Sequence, residues 1–323
     1  MFLNLKRRTL GLAAAALLVA GPALADTSTV KILVGFPPGG GTDAIARVLA
    51  DKLKDQLGTN VIVENKAGAG GQLAAQALKA APADGTVLFL SHDHSISILP
   101  LTLKNPGFNP AEDFVPVAGF ATFVNGLALS GGTPAKSYQE YLAWVREDVK
   151  KRGTVGVPAP ASTPEFFVKV IGQKNGLDLQ AAPYRGSAPM MGDMLGNQIA
   201  AGVGSVPDFI ENHKAGKIRI VAVIGGKRQA TLPDVPTFTE LGLAGFEDLP
   251  YYGLFAPKGT PKATLERYSA ALAKVIALPE VHERLTAMGL TVGHMSAEQL
   301  ASRERAYSQT WARIIKASGF QAQ

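Results

Sequence analysis

The sequence predicts an α/β protein of two lobes followed by a helical C-terminal section, and three observations carry that expectation. Short apolar runs suited to strands alternate almost from end to end with stretches whose apolar residues recur at helical spacing. The rhythm runs through the first half and returns in the second, with no short sequence repeat behind it. Beyond the N-terminal segment lie roughly 300 residues without a single cysteine, so ordinary hydrophobic cores must hold the chain together, and that length suggests two domains.

The first element in order is an export signal at residues 1–25. Lys6, Arg7 and Arg8 form a basic start, an uncharged Leu/Ala-rich run extends from Leu10 to Ala20, and Ala23-Leu24-Ala25 places small residues where a signal peptidase reads. The apolar run is about half of the roughly 20 residues that span a bilayer, so cleavage before Asp26 is expected rather than an anchor. Arg7-Arg8 with Leu10 matches a twin-arginine signal only in part, and both export routes stay open. Removing these residues lowers the net charge from +6 to +3, and the basic residues are scattered, so no nucleic-acid partner is expected. The lack of cysteine excludes disulfides, thiolate catalysis and Cys-ligated metals.

Val30–Phe36 reads as the first strand, broken by Pro37-Pro38-Gly39-Gly40-Gly41. Thr42 then offers an N-cap to a helix with Ile45, Val48, Leu49, Leu53 and Leu57 on one face, ending at Gly58. Val61–Glu64 and Thr86–Ser91 read as strands on either side of a helix at Gln72–Ala80. In the second half, strands are expected at Leu127–Ser130, Thr154–Val157, Leu179–Ala182, Ile199–Val203 and Ile218–Val223. Helices between them are expected from Ser137 to about Arg152, from Thr163 with Pro164 in its first turn, at Ala188–Leu195 and at Pro207–Ala215. The tail reads as helices at Lys262–Ala277, Glu280–Met288 and Ala297–Ala317. Strands joined through helices imply mostly parallel sheets flanked by helices.

Two loops carry the chemistry. In Phe36–Asp43 a strand runs through three glycines straight into a helix, so backbone N–H groups and the positive helix end could hold a carboxylate or phosphate without a basic side chain. The alternative is a tight turn with no ligand; neither the phosphate-loop nor the dinucleotide spacing is matched. The loop Gly156–Thr163 repeats the strand-loop-helix logic in the other half, and two helix ends facing each other would clamp a small acid. Glu165, in the second helix, either complements the helix dipole or contacts the ligand. Ser91-His92-Asp93-His94-Ser95 could supply metal ligands or an acid/base pair, but its spacing fits no recognised zinc motif. A polar loop lining a pocket at a strand end is the competing reading. No matching Glu/His cluster occurs elsewhere and no G-x-S-x-G nucleophile elbow is present; no cofactor, metal or catalytic residue is expected.

The stretches VGFPPGGGTD (34–43), VENKAGAGG (63–71), PYRGSAP (183–189), AGKIRIVAV (215–223), LPDVP (232–236) and GLFAPKGTP (253–261) stand in an order spread over the whole mature chain. Together they make the chain resemble a substrate-binding protein of the tripartite tricarboxylate transporter family, the Bug-type periplasmic solute receptors. The resemblance implies a periplasmic, two-lobed binding-protein fold of type II that closes on a small carboxylate ligand, with the cleft between the lobes. It implies lobe 1 at 26–125 plus 226–323 and lobe 2 at 126–225, with a monomer serving the permease subunits of the transporter. Carried over by motif, the ligand-binding positions are Phe36, Pro38, Gly39, Gly40, Gly41, Thr42 and Asp43 in the first loop. Ser91 and His94 follow at the strand end, Ala161, Ser162 and Thr163 in the second loop, and Tyr184, Arg185, Gly186 and Ser187 in the PYRGS stretch. The resemblance implies that the carboxylate is held by backbone amides and ordered waters, with Arg185 as a competing anchor or a structural brace.

The chain departs from that pattern where the ligand is read. Glu165 stands where the family often has His, Gly202-Val203-Gly204-Ser205 lacks the usual acidic residue, and His92-Asp93 is unusual before His94. Two other functions stay open on the sequence: an exported α/β enzyme using His92, Asp93 and His94, and a receptor that presents its ligand to a membrane sensor.

Overall fold

A computed structural model describes residues 29–322 apart from 246, 247 and 318. The signal segment at 1–25 and its cleavage site lie outside the described residues. Strand β1 (Val30–Val34) enters the first sheet with Ile32 and Val34 fully buried, and α1 (Gly41–Leu57) covers it. The helical spacing read from sequence is the buried face: Ile45, Leu49, Leu53 and Leu57, each contributing about 1.5–3 kcal/mol of apolar burial. Then follow β2 (Val61–Asn65), α2 (Gln72–Lys79) and β3 (Val87–His92). A π-type turn at His94–Ile98 leads into the short α3 (Leu99–Thr102), and α4 (Pro110–Asp113) precedes β4 (Phe114–Thr122).

The chain crosses to the second sheet through Phe123 and Val124 alone. There β5 (Asn125–Ser130) is followed by α5 (Tyr138–Glu147), α6 (Val149–Arg152), β6 (Thr154–Val157) and α7 (Thr163–Asn175). The single helix expected from Ser137 to Arg152 is broken at Asp148, whose carboxylate accepts a hydrogen bond from the Lys151 N–H and starts α6. β7 (Gln180–Pro183), α8 (Ser187–Leu195), β8 (Ala201–Ser205), α9 (Val206–Lys214) and β9 (Ile218–Val223) complete this part. β10 (Tyr251–Pro257) returns to the first sheet, followed by α10 (Lys262–Ala277), α11 (Pro279–Ala287), β11 (Thr291–Met295) and α12 (Ala297–Ala317).

The first sheet has the order β11-β4-β10-β3-β1-β2 and the second β7-β6-β8-β5-β9. Both are mixed, which corrects the expectation of mostly parallel sheets. β1 pairs parallel with β2 and β3, and β6 parallel with β7 and β8, because helices connect them. The strands that carry the chain across the cleft, β4, β5 and β10, pair antiparallel with all their neighbours. The return crossing also falls later than expected. In the stretch after residue 225, assigned to lobe 1 from sequence, Phe238 and Leu243 join the core of Tyr141, Phe167 and Val203, and Leu232 and Val235 join that of Phe209, all on the second lobe. The apolar LPDVP stretch and its flanks find no free face on the first sheet, whose sides are taken by α1, α10 and α12.

Helix α12, about 30 Å long at 21 residues, lies across the crossing. Leu300, Tyr307, Trp311 and Ile315 are its buried stripe, and the Trp311 ring sits 6.1 Å from that of Phe166 on α7. The Arg303 guanidinium donates to the Leu249 carbonyl, so the helix ties to the return crossing as well. No helix among the described residues is long and apolar enough to cross a membrane.

Candidate functional site

A cleft of about 550 Å³, part of it open to solvent, lies between the two sheets, at the ends of β1, β3, β6 and β8. Lobe 1 lines it with Phe36, Gly40, Thr42, His92, Asp93 and His94, and lobe 2 with Ala159, Ser162, Thr163, Ser187, Ser205 and Asp208. Phe123 and Asn125, at the first crossing, close the back, and Tyr252 of β10 forms part of the wall.

The first loop is braced from behind. Asp43, almost entirely buried, accepts hydrogen bonds from the Gly39 N–H (3.0 Å), the Asn65 amide (2.9 Å) and the Arg47 guanidinium (2.9 and 3.0 Å). Burial opposes ionisation of Asp43, but these donors outweigh it and hold the carboxyl below its ordinary range. The Asp43 side chain therefore turns away from the cavity. Gly39 has φ +86°, which a side chain rarely adopts, whereas Gly40 is the extended N-cap of α1 at φ −82°. Thr42, expected as the cap, lies inside the first turn and its hydroxyl meets Tyr252 Oη at 3.2 Å. Burial, with Asp208 nearby, pushes the Tyr252 phenol well above its ordinary value, so it stays protonated.

The second loop is a capping box. Ser162 caps α7, its Oγ accepting from the Glu165 N–H at 3.4 Å and donating to the Ala159 carbonyl at 2.7 Å. Glu165 reaches back to accept from the Ala161 N–H at 2.7 Å, where Ala161 adopts φ +51°. Of the two roles open for Glu165, the structure gives it the helix-capping one.

The strand-end loop divides its residues. The His92 ring stacks on Phe36 at 5.1 Å and meets Tyr252 edge-on at 5.4 Å. Asp93 accepts from the Tyr307 hydroxyl of α12 at 2.9 Å and lies 3.3 Å from His92 Nδ1. His94 is fully buried with neither ring nitrogen hydrogen-bonded, and burial, with a smaller push from His92, drops its pKa to about 4. Ser91 is buried behind the wall, with its Oγ 3.4 Å from the His92 carbonyl. No group of three or more His, Asp or Glu side chains able to hold a metal ion occurs among the described residues.

From the PYRGS stretch only Ser187 reaches the cavity. The Tyr184 hydroxyl donates to Asp193 at 2.7 Å, away from the cleft, and Arg185 is exposed. Gly186, at φ +109°, packs on the first loop so closely that a Cβ would sit 2.7 Å from Pro37 Cδ. Gly40 is equally confined: a Cβ there would meet Ser187 Oγ at 2.9 Å across the cleft. Pro38, Gly39, Gly41 and Ala161 shape the two loops without lining the cavity.

Asp208 was not read as a site residue. Its Oδ1 accepts from the Gly41 N–H of lobe 1 at 2.8 Å and from Ser187 Oγ at 2.6 Å, and its Oδ2 from Ser205 Oγ at 2.6 Å. A carboxylate of lobe 2 thus sits on the N-terminus of the lobe 1 helix α1. The signal was present in Ser205-Val206-Pro207-Asp208, a third strand-to-helix junction with a cap residue and an acid three positions on. The acid that seemed missing near Gly204 stands four residues later. Asn125 was also missed. It is 5% exposed, and its side-chain amide faces the cavity with no hydrogen-bond partner among the described residues.

The receptor model of the tripartite tricarboxylate transporter family matches residues 45–320. Protein BugT of Bordetella pertussis is 31% identical over 308 residues, covering 93% of this chain and 93% of its own. The structure of the periplasmic binding protein BugD is similar at a TM-score of 0.86 and 31% identity, over 91% of this chain and 99% of that one. That of Rhodopseudomonas palustris Rpa4515 with adipate is similar at a TM-score of 0.86 and 28% identity, over 91% and 98%.

Proposed function

The chain belongs to the tripartite tricarboxylate transporter receptor family, whose members are solute-binding receptors rather than enzymes, and from that premise we propose that it captures a small organic acid in the periplasm and delivers it to a membrane transporter of that type. The observation that carries this reading is the cavity shared by the two lobes, with the N-terminal ends of the long helices α1 and α7 converging on it. Each lobe supplies one wall, so a bound solute favours the closed arrangement by its contacts to both. The similarity of this chain to a protein solved with adipate supports an acid as the solute.

Two measurements test the proposal. Titration calorimetry with a panel of small organic acids should find one that binds at one site per chain and is recovered unchanged. Chemical conversion of a bound acid would replace the receptor with an enzyme. Protein recovered from the periplasm should begin at Asp26 on N-terminal sequencing. A membrane-bound chain still carrying residues 1–25 would overturn the location.

A further inference from the structure

Building on the receptor reading, we propose that the captured acid carries a single carboxylate together with a positively charged nitrogen, with Asp208 and Asp93 as the counter-charges for that nitrogen. The starts of α1, α7, α8 and α9 all border the cavity, and that of α1 is already occupied. The Gly41 N–H at the start of α1 is taken by Asp208, which Ser187 and Ser205 hold in place. At α7 the Ser162 Oγ takes the Glu165 N–H and Pro164 has none to give, so a ligand carboxylate would meet that helix end at Thr163, which lies in the wall. A second carboxylate would meet no cation there, because among the described residues no Lys or Arg lines the cavity. The charged side chains that do line it are acidic, Asp93 and Asp208.

The remaining wall suits a cation. The rings of Phe36, His92, Phe123 and Tyr252 meet there, with Phe36 and His92 centroids 5.1 Å apart and Phe123 and Tyr252 4.9 Å apart. Aromatic faces attract a positively charged nitrogen, more strongly when water is excluded. Independent of the acidic pair, the 95% buried Asn125 presents an unpartnered amide to the same cavity. A buried amide of this kind is normally satisfied, and a polar ligand would complete it.

The test is a calorimetric panel on the mature receptor: glutarate and adipate against 5-aminovalerate, 4-aminobutyrate and glycine betaine. At least one nitrogen-bearing acid should bind at least tenfold tighter than either dicarboxylate. Asp208→Asn and Asp93→Asn keep the side-chain size and remove the charge; one or both should erase most of that preference. The wild-type panel decides the matter even if a variant is unstable. Glutarate or adipate binding as tightly as the nitrogen-bearing acids overturns the inference and leaves the receptor reading intact. A preference unchanged in both folded variants overturns the role of the two carboxylates. No binding by any acid overturns the inference and the receptor reading together.

Discussion

At Gly40 the requirement for glycine is one of space. Its backbone is extended, so a side chain there is not strained by φ, but it would drive into Ser187 across the cleft. Gly40→Val should therefore leave the melting temperature of the open protein nearly unchanged while preventing the approach of Gly41 to Asp208. Losing one or two charge-assisted hydrogen bonds at about 1.5–3 kcal/mol each weakens ligand binding roughly tenfold or more. Arg185 is exposed and outside the cavity, so Arg185→Ala should change affinity by less than about twofold. Calorimetry on both variants checks the pair; loss of binding in Arg185→Ala with a silent Gly40→Val would mean a guanidinium anchors the acid. His94 makes a separate prediction. Its folded pKa of about 4 lies below the 6.5 of the unfolded chain, so the unfolded chain takes up the proton first as the pH falls. The stability is full above pH 6.5 and declines through the window down to pH 4, by about 3 kcal/mol at 1.36 kcal/mol per unit. Urea midpoints at pH 7 and pH 4.5 should fall less for His94→Phe than for the wild type. Equal falls would show that His94 does not titrate in this way.

The elements that position the site are held mainly by their caps. Ser162 satisfies the first turn of α7 and locks the second loop through the Ala159 carbonyl, while Glu165 closes the box on Ala161. Ser162→Ala should cost about 1 kcal/mol of stability, and it should also weaken ligand binding, because the loop it loosens is a wall of the cavity. Thermal melting with and without a bound acid checks both; a change in stability with no change in affinity would mean that the loop does not contact the solute. Element identity was legible wherever an apolar period sat between turn residues, as in α1, β6, β9, α10 and α12. β4 was missed because its interior carries Pro116 and Gly119 and its side chains are buried on both faces, leaving no alternation to read. β11 was missed because it is a short edge strand with mostly exposed side chains.

In the whole molecule, two chain crossings and α12 span the cleft. The crossing at Phe123 and Val124 is short, and the later one enters β10 at Tyr251, so ligand-driven rotation of the lobes is expected about these crossings. Asp208 bridges them when they are closed. Solution scattering should show a smaller radius of gyration with saturating ligand than without. The difference between the unliganded wild type and Asp208→Asn should be in the direction of a more open form for the variant. Identical profiles with and without a ligand whose binding is confirmed would contradict closure.

The sequence by itself determined the alternation of strand and helix, the two lobes and the two strand-loop-helix junctions that wall the cavity. Each of these is written in local spacing: apolar period, glycine, and a cap residue before a helix. The tertiary structure decided what no local pattern can hold. The direction of β4, β5 and β10, the packing of Leu232, Val235, Phe238 and Leu243 on the second lobe and the reach of Asp208 to Gly41 all join residues far apart in the chain. The last is the clearest case, since 167 positions separate the two groups. That the start of α1 is capped by an acid of the opposite lobe is written in neither junction's local sequence.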